Sequence, residues 1–124
     1  MLTLSLVAEL DGRVVGHVAV SPVTISDGSA GWFGLGPISV APALQRQGIG
    51  SALMREAIGR LRALGASGCF LVGNPAYYER FGFRNGVGLL YGDAPEEVSL
   101  ALAIDGPMPH GTVHFHEAFE ATAP

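Results

Sequence analysis

Gln45-Arg46-Gln47-Gly48-Ile49-Gly50-Ser51 stands between an apolar extended stretch, residues 32–40, and a run with helical period. After it, Ile49, Leu53, Ala57, Ile58, Leu61 and Leu64 recur on one helical face, while Arg55, Glu56, Arg60 and Arg62 fall elsewhere. Gly65 supplies a C-terminal stop. A strand, a glycine-containing turn and a helix in this order bring the helix's unpaired first-turn N–H groups to the turn. The positive end of the helix dipole lies there too. Glycines at 48 and 50 leave that backbone open to an anion, and Arg46 adds a full charge at the same mouth. The same glycines equally suit a helix that starts close against its neighbours.

Upstream, Leu2, Leu4, Leu6 and Ala8 alternate with polar residues, Asp11-Gly12 marks a tight turn, and residues 14–20 resume the alternation. The first twenty residues therefore read as a β-hairpin, and residues 22–31, rich in Ser, Gly and Asp, as a loop. The 32–40 stretch contains Gly34, Gly36 and Pro37, which predict a bulge or a close backbone approach. Downstream, residues 69–72 read as a short strand. Asn74 and Pro75 open a short helix to Arg80 as N-cap and first residue. Phe83 is expected to start another strand, and residues 98–104 alternate as one more. The order predicts an α/β chain with a mixed, α+β-type sheet: an antiparallel hairpin, then a strand-helix-strand unit that joins parallel strands. No repeat or linker interrupts it, so residues 1–124 read as a single domain with a core at 1–104 and a tail at 105–124.

Composition narrows the class. Seven basic residues, all Arg, face eleven acidic ones, for a net charge of −4, and no basic stripe suggests a nucleic-acid partner. No apolar run approaches the roughly 20 residues that span a bilayer, and the N-terminus lacks a basic, apolar leader pattern. A cytoplasmic protein without a membrane partner is the expectation. The single cysteine, Cys69, excludes an internal disulfide, and its apolar neighbours favour a buried packing role over a nucleophile. His110, His114, His116 and Glu117 crowd the tail. A solvated strand explains them more simply than a metal site does, and no metal is expected.

Two common phosphate-binding motifs fail. A P-loop needs a lysine and the chain has none; a dinucleotide fingerprint needs a third glycine and a later acidic residue, both missing here. Gln-x-x-Gly-x-Gly after Val40-Ala41-Pro42 resembles instead the signature of the GNAT superfamily of acetyl-CoA-dependent N-acetyltransferases. Tyr78-Glu79-Arg80-Phe81-Gly82-Phe83 is similar to that family's Tyr-x-x-x-Gly-Phe segment, at the usual separation. Pro37-Ile38-Ser39-Val40 and Pro75-Ala76-Tyr77-Tyr78 resemble its YhbS-like branch.

The resemblance implies a GNAT acyl-CoA N-acyltransferase fold. The sequence starts at the hairpin, where the family has a strand and two helices first, so it implies an N-terminally shortened form whose exposed edge could seat a second copy in a homodimer. It implies acetyl-CoA as co-substrate and an amine acceptor that the sequence leaves unnamed. Backbone groups of Ile38, Ser39 and Val40 would pair with the pantetheine arm. The N–H groups of Gln45, Arg46, Gln47, Gly48, Ile49, Gly50 and Ser51 would hold the pyrophosphate. Asn74 would reach the pantetheine, and Tyr78 would protonate the departing thiolate, with Tyr77 as the competing tyrosine and sheet packing as the plainer role for Tyr78. A phenol of pKa about 10 is protonated at neutral pH and able to donate. No carboxylate lies at 32–44 to serve as base; Glu79 faces away from Tyr78 on the short helix, and His17 reads better as a polar sheet residue. Two functions remain open: an N-acetyltransferase acting on a primary amine, and a non-catalytic acyl-CoA-binding module.

Overall fold

The computed structural model describes residues 4–115. Strand β1 (Leu4–Leu10) turns at Asp11 and Gly12, both at positive φ (53° and 79°), into β2 (Arg13–Ile25). Two left-handed residues in succession form the tight turn whose twist suits an antiparallel pair. β3 (Trp32–Val40) follows, then α1 (Ile49–Ala63), β4 (Gly68–Val72) and the short α2 (Pro75–Tyr78). The two-residue β5 (Leu89–Leu90), β6 (Ser99–Ala103) and β7 (Gly111–Phe115) complete the sheet. The strand order is β5-β7-β2-β3-β4-β6, with β1 also on β2. β3 and β4, joined through α1, run parallel, while β2–β3 and β4–β6 are antiparallel, which is the mixed sheet expected.

β4 explains how the core is divided. Its residues alternate, so Cys69 and Leu71 join one buried cluster and Phe70 the other. The first cluster packs Val18, Val20, Leu35 and Leu100 against Leu53, Met54, Ala57 and Leu61 of α1. The second packs Val23, Ile25, Trp32 and Phe70 with Leu89 and Val113. A strand covered on both faces reads as a continuous apolar run, as residues 69–72 do.

Three expectations need correction. β2 does not stop at Val20 but continues through Pro22 to Ile25, because Val23 and Ile25 are buried opposite Phe115 and Val113 of β7. The same pairing places β7 in the sheet, where the sequence leads one to expect a strand in the tail. Phe83 is buried but starts no strand: Arg84 makes one isolated bridge to Ala101, and Gly86 and Gly88, at φ 65° and 93°, end the extended run. Leu64 is 56% exposed because it lies beyond the last turn of α1, whereas Met54, omitted from the apolar face, is fully buried.

Two irregularities shape the site. From His17 to Ala19 β2 advances two residues while β3 goes from Ser39 back to Gly36, so β3 holds an extra residue at Pro37-Ile38. Proline has no N–H for the ladder, and a bulge takes up the misfit. In addition, β3 pairs with β4 only at Trp32, Phe33 and Gly34. Past that point β4 stays with β6 to Val72, and residues 35–40 of β3 have no strand partner on that side among the described residues. The two parallel strands part, leaving a gap between them.

Candidate active site

The loop leaving the parted end of β3 is pinned at its start. The Ala41 N–H donates to the Val15 carbonyl (2.8 Å), and Gln45 Nε2 donates to the Val40 carbonyl (3.1 Å). Arg46 is left-handed at φ 68°, and Gly48 at φ 87° is the residue before the first turn of α1. A glycine there offers no side-chain acceptor, and no acidic residue lies in the first turn. The N–H groups of that turn therefore lack an internal or side-chain partner, and their dipole is uncompensated.

α2 forms the opposite wall. Asn74 Oδ1 accepts the Ala76 N–H at 2.9 Å and Pro75 takes the first helical position, so the cap forms as the sequence predicts. The Tyr77 hydroxyl lies 3.2 Å from Ser51 Oγ. Arg80 holds Tyr77 from behind, donating from Nε to its carbonyl (2.9 Å) with the guanidinium 4.5 Å above its ring. Tyr78 is half-buried, edge-on to Tyr77 at 4.9 Å and to Phe83 at 6.1 Å. A Cβ on Gly73, at the end of β4, would come within 2.5 Å of the Tyr78 ring, so the glycine makes that ring's place. Burial pushes the Tyr78 phenol above its ordinary pKa, and neighbouring Tyr77 adds to the rise. The phenol is thereby held protonated at neutral pH.

These walls enclose a cleft of about 550 Å³ lined by Ile38, Val40, Gln45, Arg46, Gly48, Gly50, Ser51, Tyr77, Tyr78 and Arg80. It joins the free stretch of β3, the open start of α1 and both tyrosines. A larger cleft of about 810 Å³, between α2 and residues 82–87, includes Glu79 but neither the glycine turn nor the parted strands. Only the smaller of these two joins the glycine turn to both tyrosines.

Not every expected residue enters the cleft. Ser39 is exposed and lines a different hollow with His17, Gln47 points to solvent, and Ile49 packs on the core. Asn74 is exposed, with its oxygen committed to the α2 cap. Arg80 was missed; only its spacing three residues after Tyr77 hints at it. Cys69 is fully buried and its thiol is pushed up to about 12 by burial, which removes it as a nucleophile. No group of three His, Cys, Asp or Glu comes together among the described residues; His116 and Glu117 lie outside them. No described helix is long and apolar enough to cross a membrane.

A sheet parted beside a glycine-led helix start, faced by a tyrosine-bearing turn, defines the acyl-CoA N-acyltransferase architecture. The chain belongs to the GNAT acetyltransferase family: residues 3–85 match the family described as Acetyltransferase (GNAT) domain. It is 40% identical over 84 residues to the uncharacterised N-acetyltransferase YhbS of Escherichia coli strain K12, covering 67% of this chain and 50% of the relative. The chain thus spans about half the length of the curated relatives it matches. Among solved structures, a GNAT family acetyltransferase from Brucella melitensis in complex with acetyl-CoA superposes with TM-score 0.78 at 48% identity, over 93% of this chain and 67% of that one. Escherichia coli YhbS in complex with CoA superposes with TM-score 0.85 at 30% identity, over 94% and 68%.

Proposed function

We propose that this chain binds acetyl-CoA in the cleft between β3 and α2 and transfers its acetyl group to a primary amine. The observation that carries the reading is the meeting, in one cleft, of an unpaired length of β3 and the glycine-flanked start of α1. An extended amide-bearing arm suits the first and a pyrophosphate the second. A Cβ on Gly50 would stand 3.3 Å from the Tyr77 hydroxyl, so a side chain there would crowd the mouth. Ile38, Ser39 and Val40 would contact the pantetheine arm through their backbone, and Asn74 from the rim through its amide nitrogen, its oxygen being held by the α2 cap. Gln45, Arg46, Gln47, Gly48, Ile49, Gly50 and Ser51 would surround the pyrophosphate, mainly through backbone N–H groups.

In the reaction the uncharged amine nitrogen bonds to the thioester carbonyl carbon, the C–S bond breaks, and the sulfur leaves with the electron pair. Tyr78 donates its phenolic proton to that sulfur, and the proton lost by nitrogen passes to solvent. The raised pKa of Tyr78 supports the donor role. A cytoplasmic setting and a single domain over residues 1–124 belong to the same reading. Val7 and Leu10 of β1 and Val14 of the adjoining β2, at 50%, 49% and 61% exposure, favour a homodimer at this hairpin. A monomer in sedimentation at assay concentration would remove that part.

Calorimetry with acetyl-CoA on the wild type and on a Gly48→Glu, Gly50→Glu variant tests the site. Micromolar binding abolished in the variant supports it; no binding by folded wild type overturns it. One observation favours a non-catalytic acyl-CoA-binding module instead: among the described residues no carboxylate or histidine lines the cleft to take a proton from the amine. Turnover against a panel of amines separates the two.

A further inference from the structure

Beyond the cleft, the outer face of α1 carries a second feature. Arg55, Gly59 and Arg62 fall at i, i+4 and i+7, hence on one stripe of the helix. With Ile58, Arg80 and Phe81 they line a hollow of about 250 Å³. The Arg55 guanidinium lies 5.3 Å from the centre of the Phe81 ring. On the same helix Arg60 is paired with Glu56 at 2.9 Å, but among the described residues no carboxylate pairs with Arg55, Arg62 or Arg80. Three uncompensated guanidinium groups around one hollow are notable on a chain of net charge −4. Gly59 adds an independent sign. Glycine is among the weakest helix formers, yet it sits inside α1 with nothing within 4 Å of where a Cβ would be, leaving open floor beneath the arginines.

Arg80 lines both this hollow and the cleft, so the two lie on either side of one side chain. Arg55 stands six residues into α1, about 9 Å along the axis from its start. That is within reach of a ribose whose 5′ side carries a pyrophosphate held at the first turn. We propose that Arg55, Arg62 and Arg80 receive the 3′-phosphate on the nucleotide end of CoA, and that this chain selects 3′-phosphorylated CoA over its dephosphorylated form. The inference rests on the reading of the cleft as the acetyl-CoA site. A phosphate monoester carries a charge of about −1.5 to −2 at neutral pH and accepts paired hydrogen bonds from guanidinium groups. The base lies over the open floor at Gly59, beside Ile58.

The test compares calorimetric affinities for CoA and 3′-dephospho-CoA in wild type and in an Arg55→Gln, Arg62→Gln variant. Both arginines are exposed, and a thermal melt checks that the variant is folded. Wild type is expected to bind CoA about tenfold or more tighter than 3′-dephospho-CoA, the scale of charge-assisted phosphate contacts. The variant is expected to lose that preference while its affinity for 3′-dephospho-CoA changes by less than about twofold. An Arg55→Lys, Arg62→Lys variant should keep part of the preference, since charge survives without the planar fork. Equal affinity of wild type for the two ligands, or an undiminished preference in the glutamine variant, overturns the inference and leaves the cleft reading standing. If folded wild type binds neither ligand, both readings fall.

Discussion

The Tyr77 hydroxyl and Ser51 Oγ, 3.2 Å apart, tie α2 to the first turn of α1 across the mouth of the cleft. Two segments that the sequence separates by 26 residues thus share a polar contact at the site. The neighbouring Tyr78 turns its ring toward Phe81 and Phe83 instead. Adjacent tyrosines therefore have different duties, and substitution should separate them.

Tyr77→Phe keeps the ring contacts with Arg80 and Phe81 and removes only the hydroxyl. The expected loss is about 1 kcal/mol in denaturant unfolding, the usual worth of one hydrogen bond. kcat should remain within about threefold of wild type, because in this reading Tyr77 donates no proton in the reaction. A collapse of kcat would transfer the acid role to Tyr77.

Tyr78→Phe should lower kcat by about a hundredfold or more, the scale of general acid catalysis, with little change in KM for acetyl-CoA. The pH dependence has a defined sign. Burial raises the Tyr78 pKa, so the donor stays protonated through neutrality and is lost only above the ordinary phenol value of about 10. A fall in wild-type kcat below that pH that vanishes in the phenylalanine variant would contradict the assignment.

Gly73→Ala tests position rather than chemistry. The added methyl would come 2.5 Å from Tyr78 Cε2, and the backbone is held by the 3.0 Å bond from the Gly73 N–H to the Val98 carbonyl. The ring must move. Unfolding should cost about 1–3 kcal/mol less, as for other overpacked sites, and kcat should fall in folded protein while acetyl-CoA affinity holds. Unchanged kcat would show that Tyr78 tolerates displacement.

Cys69 carries a prediction about alkaline stability. Burial raises its thiol from 9.0 to about 12, against the opposing charge of Arg62. Because the folded pKa is the higher one, this contribution is complete below pH 9.0 and is lost as pH rises toward about 12. At pH 8 a disulfide reagent should label the folded chain only as fast as it opens. Immediate stoichiometric labelling would refute the burial.

The glycine turn was legible because its evidence is local: a change of period, two glycines and a helix start within a few residues. The Asn74-Pro75 cap was legible for the same reason. The end of β2 was not. Ser21-Pro22 carries a loop composition, and what holds the chain extended comes from elsewhere: β3 pairs with Ser21 and Pro22, and β7, from near the other end of the described chain, with residues 23–25. Arg80 escaped because its place depends on the turn of residues 79–81 that follows α2, and on the parting of two strands. Neither leaves a mark in the motif itself. Asn74 carries two signatures at once, and the cap takes the side-chain oxygen, which leaves only the amide nitrogen for a ligand.

The sharing of β2 among β1, β3 and β7 also orders events in time. Its first half meets β1 across a two-residue turn and can zip as a hairpin while the rest of the chain is still loose. Its end, residues 23–25, waits for β7, which emerges from the ribosome about 90 residues later, when the pairing must close a long loop. Until then the face holding Trp32, Phe70 and Ile25 is uncovered. The nascent chain is therefore most exposed to aggregation late in its synthesis, and that face is where a chaperone would hold it.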